Sequence, residues 1–338
     1  GATTLYKWPE AWGLPSASPA CIQTEAYLRL AGAQFAVESC SSTSKSPTGQ
    51  LPGLEHEADI SGVGDTDFAS AREAITFAKR SIKDLDASLS QAQKAELIAF
   101  TALIEHKLDV AVEYNIWWEK HGYSEYAKAA FKDQPFPLSY IIPFSLRRDA
   151  CKRLSGVNED QVYAGAAQAL TALSDRLRTS GGQWVLGSQP CSLDALLLGH
   201  LMFLRASPAA APVLQHKVEG LVPLREYIDR VSAQLFATPA PHRGDAAHDS
   251  GAAGPSWSDA AQGARKPPRP STLTPAEREF RRNSLLWLAG AGAVVAAYIV
   301  FSGRYFNLED LGRMLGQADG EDDEDDDGGD DHDNGGDE

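Results

Sequence analysis

The sequence predicts a small α/β domain followed by an all-α domain, with one membrane-spanning helix near the C-terminus. Three observations carry this prediction. Short apolar runs alternate with turn residues and one helical repeat in residues 5–82. Apolar residues then recur at helical spacing almost throughout residues 90–235. Finally, residues 285–301 form a run of seventeen positions without a charged side chain.

The first domain, residues 1–83, opens with a β-α-β pattern. Residues 5–8 form the first strand candidate, and a turn-rich segment rich in glycine and proline follows it. Ser18 is expected to cap a helix that has proline at its first position. Gly32 ends that helix, and residues 35–37 are read as the second strand.

The rest of the first domain contains a further strand and a helix. A polar loop leads to Pro52, which precedes a short third strand. The apolar spacing of residues 68–82 is helical and predicts the second helix of the domain.

The second domain, residues 84–236, is predicted to contain helices alone. A long helix covers residues 92–120, where large apolar side chains recur every three or four positions. Shorter helices are predicted near residues 124–131, 159–180, 192–204 and 223–235.

A flexible linker and a membrane anchor follow the two domains. Residues 237–282 are rich in Ala, Pro, Gly, Ser and charge, which is typical of a tether. Residues 283–303 are predicted to span a bilayer, because seventeen uncharged positions make about 25 Å of helix and flanking serines extend it toward the ~30 Å hydrocarbon core. A buried soluble helix is the competing interpretation. The apolar side chains assigned to the bilayer are Leu285, Leu286, Trp287, Val294, Val295, Ile299 and Phe301.

The flanks of the span predict its orientation. Arginines are more numerous before the span than after it, so the folded domains are placed in the cytosol. The short, Ala- and Gly-rich span suits a thin bilayer, while its composition leaves the endoplasmic reticulum and the peroxisome open. The small side chains of Ala289, Ala293 and Ala297 would let a partner span approach closely, or they have no role at all.

The net charge of −15 is concentrated in the C-terminal tail, residues 304–338. Residues 319–338 carry ten Asp and three Glu but no Lys or Arg. Without those thirteen, 33 acidic residues face 31 Lys and Arg. No basic surplus remains to neutralise phosphates, which argues against nucleic acid. The densest acidic run is Asp322, Asp323, Glu324, Asp325, Asp326 and Asp327.

Cysteine and histidine spacing predicts neither disulfides nor a metal site. The four cysteines lack CxxC spacing and are interpreted as reduced thiols. The eight histidines form no HxxxH pair. Only four residues precede the first strand candidate, which leaves no room for a targeting peptide unless one was removed.

The order of the predicted elements resembles the glutathione transferase fold, in which a thioredoxin-like domain precedes a helical domain. Pro52 matches the proline that is usually cis before the third strand of that fold. Residues 190–194 resemble the capping box of the family near the end of the helical domain. The usual Ser or Thr cap is Cys191 here, and Ser192 is the alternative cap.

Further motifs resemble the metaxin family over roughly residues 4–236. They are Leu14-Pro15-Ser16 with Cys21, Tyr114-Asn115-Ile116-Trp117-Trp118, Pro135-Phe136-Pro137-Leu138 with Ile142-Pro143, and the segment 187–196. The resemblance implies a subunit of the sorting and assembly machinery that inserts β-barrel proteins into the mitochondrial outer membrane. It implies a scaffold that binds the β-barrel assembly core or import receptors, without a cofactor.

Catalysis by a transferase of this fold would need a group that activates glutathione. Ser16 and Ser18 are the available hydroxyls, and Ser18 is better explained as a helix cap. Thr66 stands where the glutamyl end of glutathione is normally held, but Asp65 and Asp67 beside it would repel the carboxylate of the ligand. We therefore expect no catalytic residue. A membrane-anchored glutathione transferase and a tail-anchored adaptor on another organelle are the alternatives.

Two segments are candidates for contact with partners. Trp117 and Trp118 form a partner-facing aromatic patch or belong to the core. The acidic tail is either a solvated, disordered end or a weak receptor for basic mitochondrial presequences in the intermembrane space.

Overall fold

The sheet of the first domain is built around its first strand. In the computed structural model, which describes residues 2–181 and 183–243, four strands occur in the order β2-β1-β3-β4. Strand β1 pairs in parallel with β2 and antiparallel with β3. The strands are β1 (Thr3–Lys7), β2 (Ala36–Ser39), β3 (Gly53–His56) and β4 (Asp59–Ile60). This confirms the β-α-β start and the strand after Pro52, and the Leu51–Pro52 peptide bond is cis.

Two helices pack on this sheet. They are α1 (Pro19–Leu30) and α2 (Asp67–Ser81). Ser18 occupies the N-cap position of α1, but the prediction that it caps the helix is wrong for its side chain, because its hydroxyl makes no capping hydrogen bond. Pro19 lacks an N–H, and the backbone N–H of Ser18 is taken up by the Ser16 hydroxyl at 3.2 Å. Helix α2, in contrast, is capped by Thr66, whose hydroxyl accepts a hydrogen bond from the Ala69 N–H at 3.1 Å.

The described part of the second half of the chain is helical. A nearly continuous run comprises α3 (Gln91–Leu103), a wide π-type stretch (Ile104–Asp109), α4 (Val110–Glu113) and a second π-type stretch (Tyr114–Trp118). The other helices are α5 (Lys120–Ala130), α6 (Leu138–Arg153), α7 (Glu159–Thr179), α8 (Ser192–Ala206), α9 (Pro212–Gly220) and α10 (Val222–Phe236). The long helix and four of the shorter ones were predicted.

Helices α6 and α9 were not predicted. Helix α6 follows a segment with two prolines and contains Pro143. Because proline usually ends or interrupts a helix, this part of the sequence did not predict one. Its apolar residues also lack helical spacing, because many of them lie on the exposed side. Helix α9 has only nine residues, too few for a clear apolar repeat.

Helix α8 joins the two halves of the described chain. It is buried along almost its whole length and packs more extensively on α1 than on any other element. Gly199 permits this approach, because a Cβ there would lie 2.4 Å from Gln23 Cγ and 2.7 Å from the Pro19 carbonyl oxygen. The buried residues of both halves form one hydrophobic cluster, so the boundary at residue 83 stays a prediction.

Buried polar networks fix the start and the middle of α8. Cys191 is the N-cap residue, and the Asp194 carboxylate accepts hydrogen bonds from its N–H and its thiol at 2.9 and 3.2 Å. Ser192 instead donates its N–H and hydroxyl to Asp86 at 2.8 and 2.6 Å. Further along, His200 Nε2 lies 2.7 Å from Asp109. The hydrogen bonds between Cys191 and Asp194 confirm the predicted capping box, with cysteine as its cap.

Most of the predicted C-terminal features lie outside the described residues. These are residues 244–282 of the linker, the anchor 283–303 and the acidic tail. The beginning of the linker contacts the first domain, since the Val37 N–H donates to the Pro241 carbonyl oxygen at 2.9 Å. Within residues 2–181 and 183–243, the model contains no helix that is both long and apolar enough to cross a bilayer.

Candidate functional site

A cleft of about 260 Å³ lies between the sheet domain and the helices. The end of β1, the start of α1 and the start of α2 line one side. The second π-type stretch, α5 and α6 line the other. The side chains that matter for its chemistry are those of Trp8, Ser18, Asp65, Asp67, Glu113, Trp117, Tyr126 and Arg153.

Carboxylates dominate the charge of the cleft. Asp65 is exposed, Asp67 is half-buried in the first turn of α2, and Glu113 ends α4. The nearest basic side chain to Glu113 is that of Arg153, with 3.9 Å between Arg153 Nη2 and Glu113 Oε2. This distance is long for an ion pair, so the acids are only partly compensated.

Burial and neighbouring charge shift these carboxylates. Burial raises the pKa of Asp67 to about 7, and the negative charge of Glu113 adds to the rise. Burial also raises the pKa of Glu113, while the positive charge of Arg153 opposes that rise most strongly. Near neutral pH, Asp67 is therefore divided between its neutral and charged forms.

The indole of Trp8 forms part of the cleft wall. Trp8 is only 2% exposed, and its ring packs edge-on against Phe131 at 4.9 Å between centroids. Its N–H lies near enough to Asp67 to lower the pKa of that carboxyl. The indole nitrogen nevertheless meets no acceptor at hydrogen-bond geometry. The Asp67 carboxyl is therefore the polar group that this buried donor faces.

The two hydroxyls considered as glutathione activators have different positions. Ser16 is fully buried and donates to the Trp8 carbonyl oxygen at 2.9 Å, outside the cleft lining. Ser18 does line the cleft. Thr66 also lies at the cleft, where its hydroxyl caps α2. Cys21 is buried, which raises the pKa of its thiol to about 12.

Four of these cleft residues were not singled out in the sequence, namely Trp8 after β1 and the three residues Glu113, Tyr126 and Arg153. Glu113, Tyr126 and Arg153 come from three different helical elements of the second half. Local patterns cannot show that these helices turn the three side chains toward the start of α2. The sequence gave one indication of Glu113. This residue directly precedes the motif of residues 114–118, and Ile116 and Trp117 of that motif also line the cleft.

The predicted partner-facing tryptophans occupy different environments. Trp117 is half-buried and packs against Tyr126, with 5.4 Å between the ring centroids. Trp118 is 41% exposed and stacks on Tyr114 at 5.9 Å. Contact of either residue with a partner stays a prediction.

A second surface feature lies at the start of α6. Phe136 is 83% exposed and Tyr140 is 71% exposed, and their rings contact each other edge-on. Leu138 and Ile141 beside them are also exposed. We call these four residues the α6 patch. Clustered apolar exposure of this kind is typical of an interaction surface.

The remaining predicted site residues lie outside the described residues. They are the seven bilayer side chains of the anchor, the ladder of Ala289, Ala293 and Ala297, and the acidic run 322–327. Among residues 2–181 and 183–243, no cluster of three or more His, Cys, Asp or Glu could hold a metal ion.

Two protein families match different parts of the chain. Residues 21–147 match the family described as outer mitochondrial membrane transport complex protein. Residues 166–231 match the glutathione S-transferase C-terminal domain. The chain therefore has the glutathione-transferase-like fold that the element order predicted.

Individual relatives agree with these family matches. Metaxin-3 from Xenopus laevis is 31% identical over 247 residues, covering 69% of this chain and 77% of the relative. Metaxin-1 from Bos taurus is 27% identical over 315 residues, covering 88% and 90%. A solved glutathione transferase, GSTFuA3 from Phanerochaete chrysosporium, is 14% identical, with a TM-score of 0.49 over 69% of this chain and 97% of that one.

Proposed function

The chain belongs to the metaxin family, and on that premise we propose that it is a non-enzymatic scaffold and receptor subunit of the mitochondrial outer-membrane import machinery. The match of residues 21–147 to an outer mitochondrial membrane transport complex family supports a role in mitochondrial protein import. The partners we propose are the β-barrel assembly core of the sorting and assembly machinery and, through a bridge, receptors of the translocase.

The chemistry of the cleft carries the non-enzymatic part of the proposal. Glutathione has two carboxylates, and the acids Asp65, Asp67 and Glu113 would repel them. The Ser16 hydroxyl is buried and already donates to a backbone carbonyl. Ser18 is the one of these two hydroxyls that reaches the cleft. Among the described residues that line the cleft, the only cation that could stabilise a thiolate is Arg153, which lies 3.9 Å from Glu113.

Calorimetry tests the non-enzymatic part directly. The full chain in mild detergent should show no saturable heat with glutathione at physiological millimolar concentration. The Ser18→Ala variant should behave in the same way, with Ser155→Ala as the control because Ser155 is exposed and does not line the cleft. Glutathione binding that Ser18→Ala abolishes and Ser155→Ala keeps would favour the membrane-anchored transferase instead.

The α6 patch supports the scaffold part of the proposal. Its aromatic side chains are large, exposed and grouped, as in the centres of protein–protein interfaces. Replacing Phe136 and Tyr140 together by serine should reduce the import or assembly subunits that co-purify with the chain in mild detergent. Val213→Ser is the matched control, because Val213 is an exposed apolar residue on α9. Unchanged co-purification in the double variant contradicts the assignment of this surface.

We further propose that residues 283–303 anchor the protein in the mitochondrial outer membrane, with the folded domains in the cytosol and the C-terminus in the intermembrane space. The uncharged run and its flanking arginines support this. Residues 276–338 fused to a soluble reporter should direct it to mitochondria and resist extraction by alkaline carbonate. A reporter that stays soluble, or that goes to another organelle, refutes the anchor or its address.

The acidic tail is proposed to bind basic presequences weakly in the intermembrane space. Thirteen negative charges within residues 319–338 create a strong local field. Exposed charges are screened beyond about 8 Å at physiological ionic strength, so the contact should be salt-sensitive. Changing the tail Asp and Glu to Asn and Gln should slow import of presequence proteins without altering targeting. Unchanged import kinetics would leave a solvated end as the explanation.

A further inference from the structure

Helix α6 is attached to the rest of the fold along one side. Of its sixteen residues, all within the described chain, Pro143 and Ala150 are buried. On the same side, Arg147 Nε donates to the Trp117 carbonyl oxygen at 2.9 Å, and Cys151 Sγ lies 3.5 Å from that oxygen. The opposite side of the helix faces solvent.

The solvent side of α6 carries a regular row of side chains. Five residues follow one another at alternating intervals of three and four positions, namely Leu138, Ile141, Ser145, Arg148 and Lys152. Four of them are exposed, and the small Ser145 in the middle is partly exposed. Alternating intervals of three and four are the a/d spacing with which one α-helix packs along another. We call these five residues the α6 stripe.

The chemistry of the α6 stripe changes along its length. Its first two members, Leu138 and Ile141, belong to the α6 patch and are apolar, whereas its last two are basic. Asp149 is the acid beside the basic pair, and one of its carboxylate oxygens lies 3.5 Å from both Arg148 Nε and Lys152 Nζ. Two cations therefore share one carboxylate, and the positive charge that remains favours an acidic partner.

The basic surplus extends beyond the α6 stripe. Residues 120–153, which include α5 and α6, carry seven Lys and Arg against three Asp and Glu. Residues 1–119 and 154–243 together carry sixteen Lys and Arg against twenty-three Asp and Glu. The region of α5 and α6 is therefore the basic part of an otherwise acidic folded body, and its charge is complementary to a surface that presents carboxylates.

We propose that the α6 stripe binds an amphipathic α-helix of another subunit of the import machinery. The partner helix places large apolar side chains against Leu138 and Ile141, and Asp or Glu side chains against Arg148 and Lys152. Ser145 lets the two helices approach closely between these contacts. The inference deepens the proposed function, on which it rests for the partner being a subunit of that machinery.

The arrangement of the stripe selects a helix among the possible partners. An extended segment does not need side chains at alternating intervals of three and four residues, because its own side chains repeat every two residues. A helix that lies on a bilayer keeps its basic side chains on the polar face. Arg148 and Lys152 instead continue the line of the apolar pair, which would bring them into the hydrocarbon.

Photocrosslinking from two positions tests the proposal on the full chain in mild detergent. A benzophenone side chain replaces Leu138 in one variant and Lys152 in another, and mass spectrometry identifies the crosslinked partner peptides. The two positions are about 21 Å apart along α6. A partner helix should therefore be crosslinked at two sites about fourteen residues apart, with Asp or Glu near the site reached from Lys152. An extended segment would give sites about six residues apart.

Charge reversal at the basic end is the second measurement. Arg148→Glu combined with Lys152→Glu should reduce the amount of the crosslinked subunit that co-purifies at least about tenfold, because like charges then face each other. Arg178→Glu is the matched control. Arg178 is an exposed base on α7 that, like the basic pair, has a neighbouring acid, with 2.9 Å between Arg178 Nη2 and Asp175 Oδ1. Both variants change exposed side chains, and thermal unfolding checks that they fold.

The outcomes separate this proposal from the proposed function. Crosslinks at helical spacing on one import subunit, with loss of that subunit in the double variant but not in Arg178→Glu, support the proposal. Crosslinks to lipid or to a second copy of this chain, crosslinks at extended spacing, or none at all refute it. If the import subunits co-purify equally with the double variant, the α6 stripe is not their site, and the scaffold function stands. If no import subunit co-purifies with the unaltered chain, the proposed function fails and the proposal fails with it.

Discussion

Gly199→Ala should destabilise the fold at the junction between α1 and α8. The new Cβ would lie 2.4 Å from Gln23 Cγ, 2.7 Å from the Pro19 carbonyl oxygen and 2.9 Å from the Gln23 backbone nitrogen. Carbon contacts need about 3.5–4.0 Å, so the two helices must separate by roughly 1 Å. Overpacking of a core costs about 1–3 kcal/mol, and backbone atoms cannot rotate away as side chains can. Alanine has a higher helix propensity than glycine, which offsets about 1 kcal/mol of this cost.

The net loss of unfolding free energy is expected to be about 1 kcal/mol, which lowers Tm by about 2–4 °C for a folded body of this size. Tryptophan fluorescence of the detergent-solubilised full chain during heating measures it. Gly220→Ala is the matched control, because Gly220 ends α9 and a Cβ there meets nothing within 4 Å. A Gly199→Ala variant as stable as Gly220→Ala would falsify the close approach of the two helices.

Two further predictions concern buried acids. Asp194→Ala should lower the unfolding free energy by about 3 kcal/mol or more, because three buried donors lose their acceptor. These donors lie 2.9–3.0 Å from the Asp194 carboxylate and are the N–H groups of Val185 and Cys191 and the hydroxyl of Tyr227. Urea denaturation measures the change, and Asp194→Asn should lower the unfolding free energy less. Asp67→Asn should flatten the pH dependence of stability. The folded pKa of about 7 lies above the usual 3.8, so the folded chain holds this proton more tightly and its contribution to stability falls as pH rises through that window. Urea denaturation from acidic to slightly alkaline pH checks this, and an unchanged slope contradicts it.

Local sequence patterns predicted most of the elements because their signals are local. The glycine that ends α1, the proline before β3 and the apolar repeat of α7 each act within a few residues, whereas the cis form of Pro52 was implied by the resemblance to glutathione transferases. Helix α6 escaped prediction because its α6 patch is exposed, so burial does not impose a helical repeat on the sequence. Ser18 was predicted to cap α1 because serine is a common N-cap residue. In the structure, the Ser16 hydroxyl accepts a hydrogen bond from the Ser18 N–H, and the Ser18 side chain makes no capping bond.

The sequence predicted no catalytic or cofactor site at the cleft, although it singled out the acids around Thr66 and, as a possible partner contact, Trp117. Asp65, Thr66 and Asp67 follow one another in sequence, and their crowding is visible without a structure. Glu113 and Arg153 reach the same cleft from helices that lie far away in sequence, and their approach depends on tertiary packing. The approach of the buried Trp8 indole to Asp67 likewise depends on the folded chain, since no local sequence pattern brings the two together.

The buried acids of this protein fall into two kinds. Asp86 and Asp194 each accept several hydrogen bonds that join helices, so their burial is compensated and their role is structural. Burial and the charge of Glu113 raise the pKa of Asp67, and the Arg153 guanidinium is 3.9 Å from Glu113. Helix α2 does not need Asp67 as a cap, because Thr66 performs that function. A carboxylate whose ionisation is disfavoured by burial lowers the stability of the fold when it is charged. Asp67→Asn should therefore stabilise the fold near neutral pH, whereas the same change at Asp194 should destabilise it.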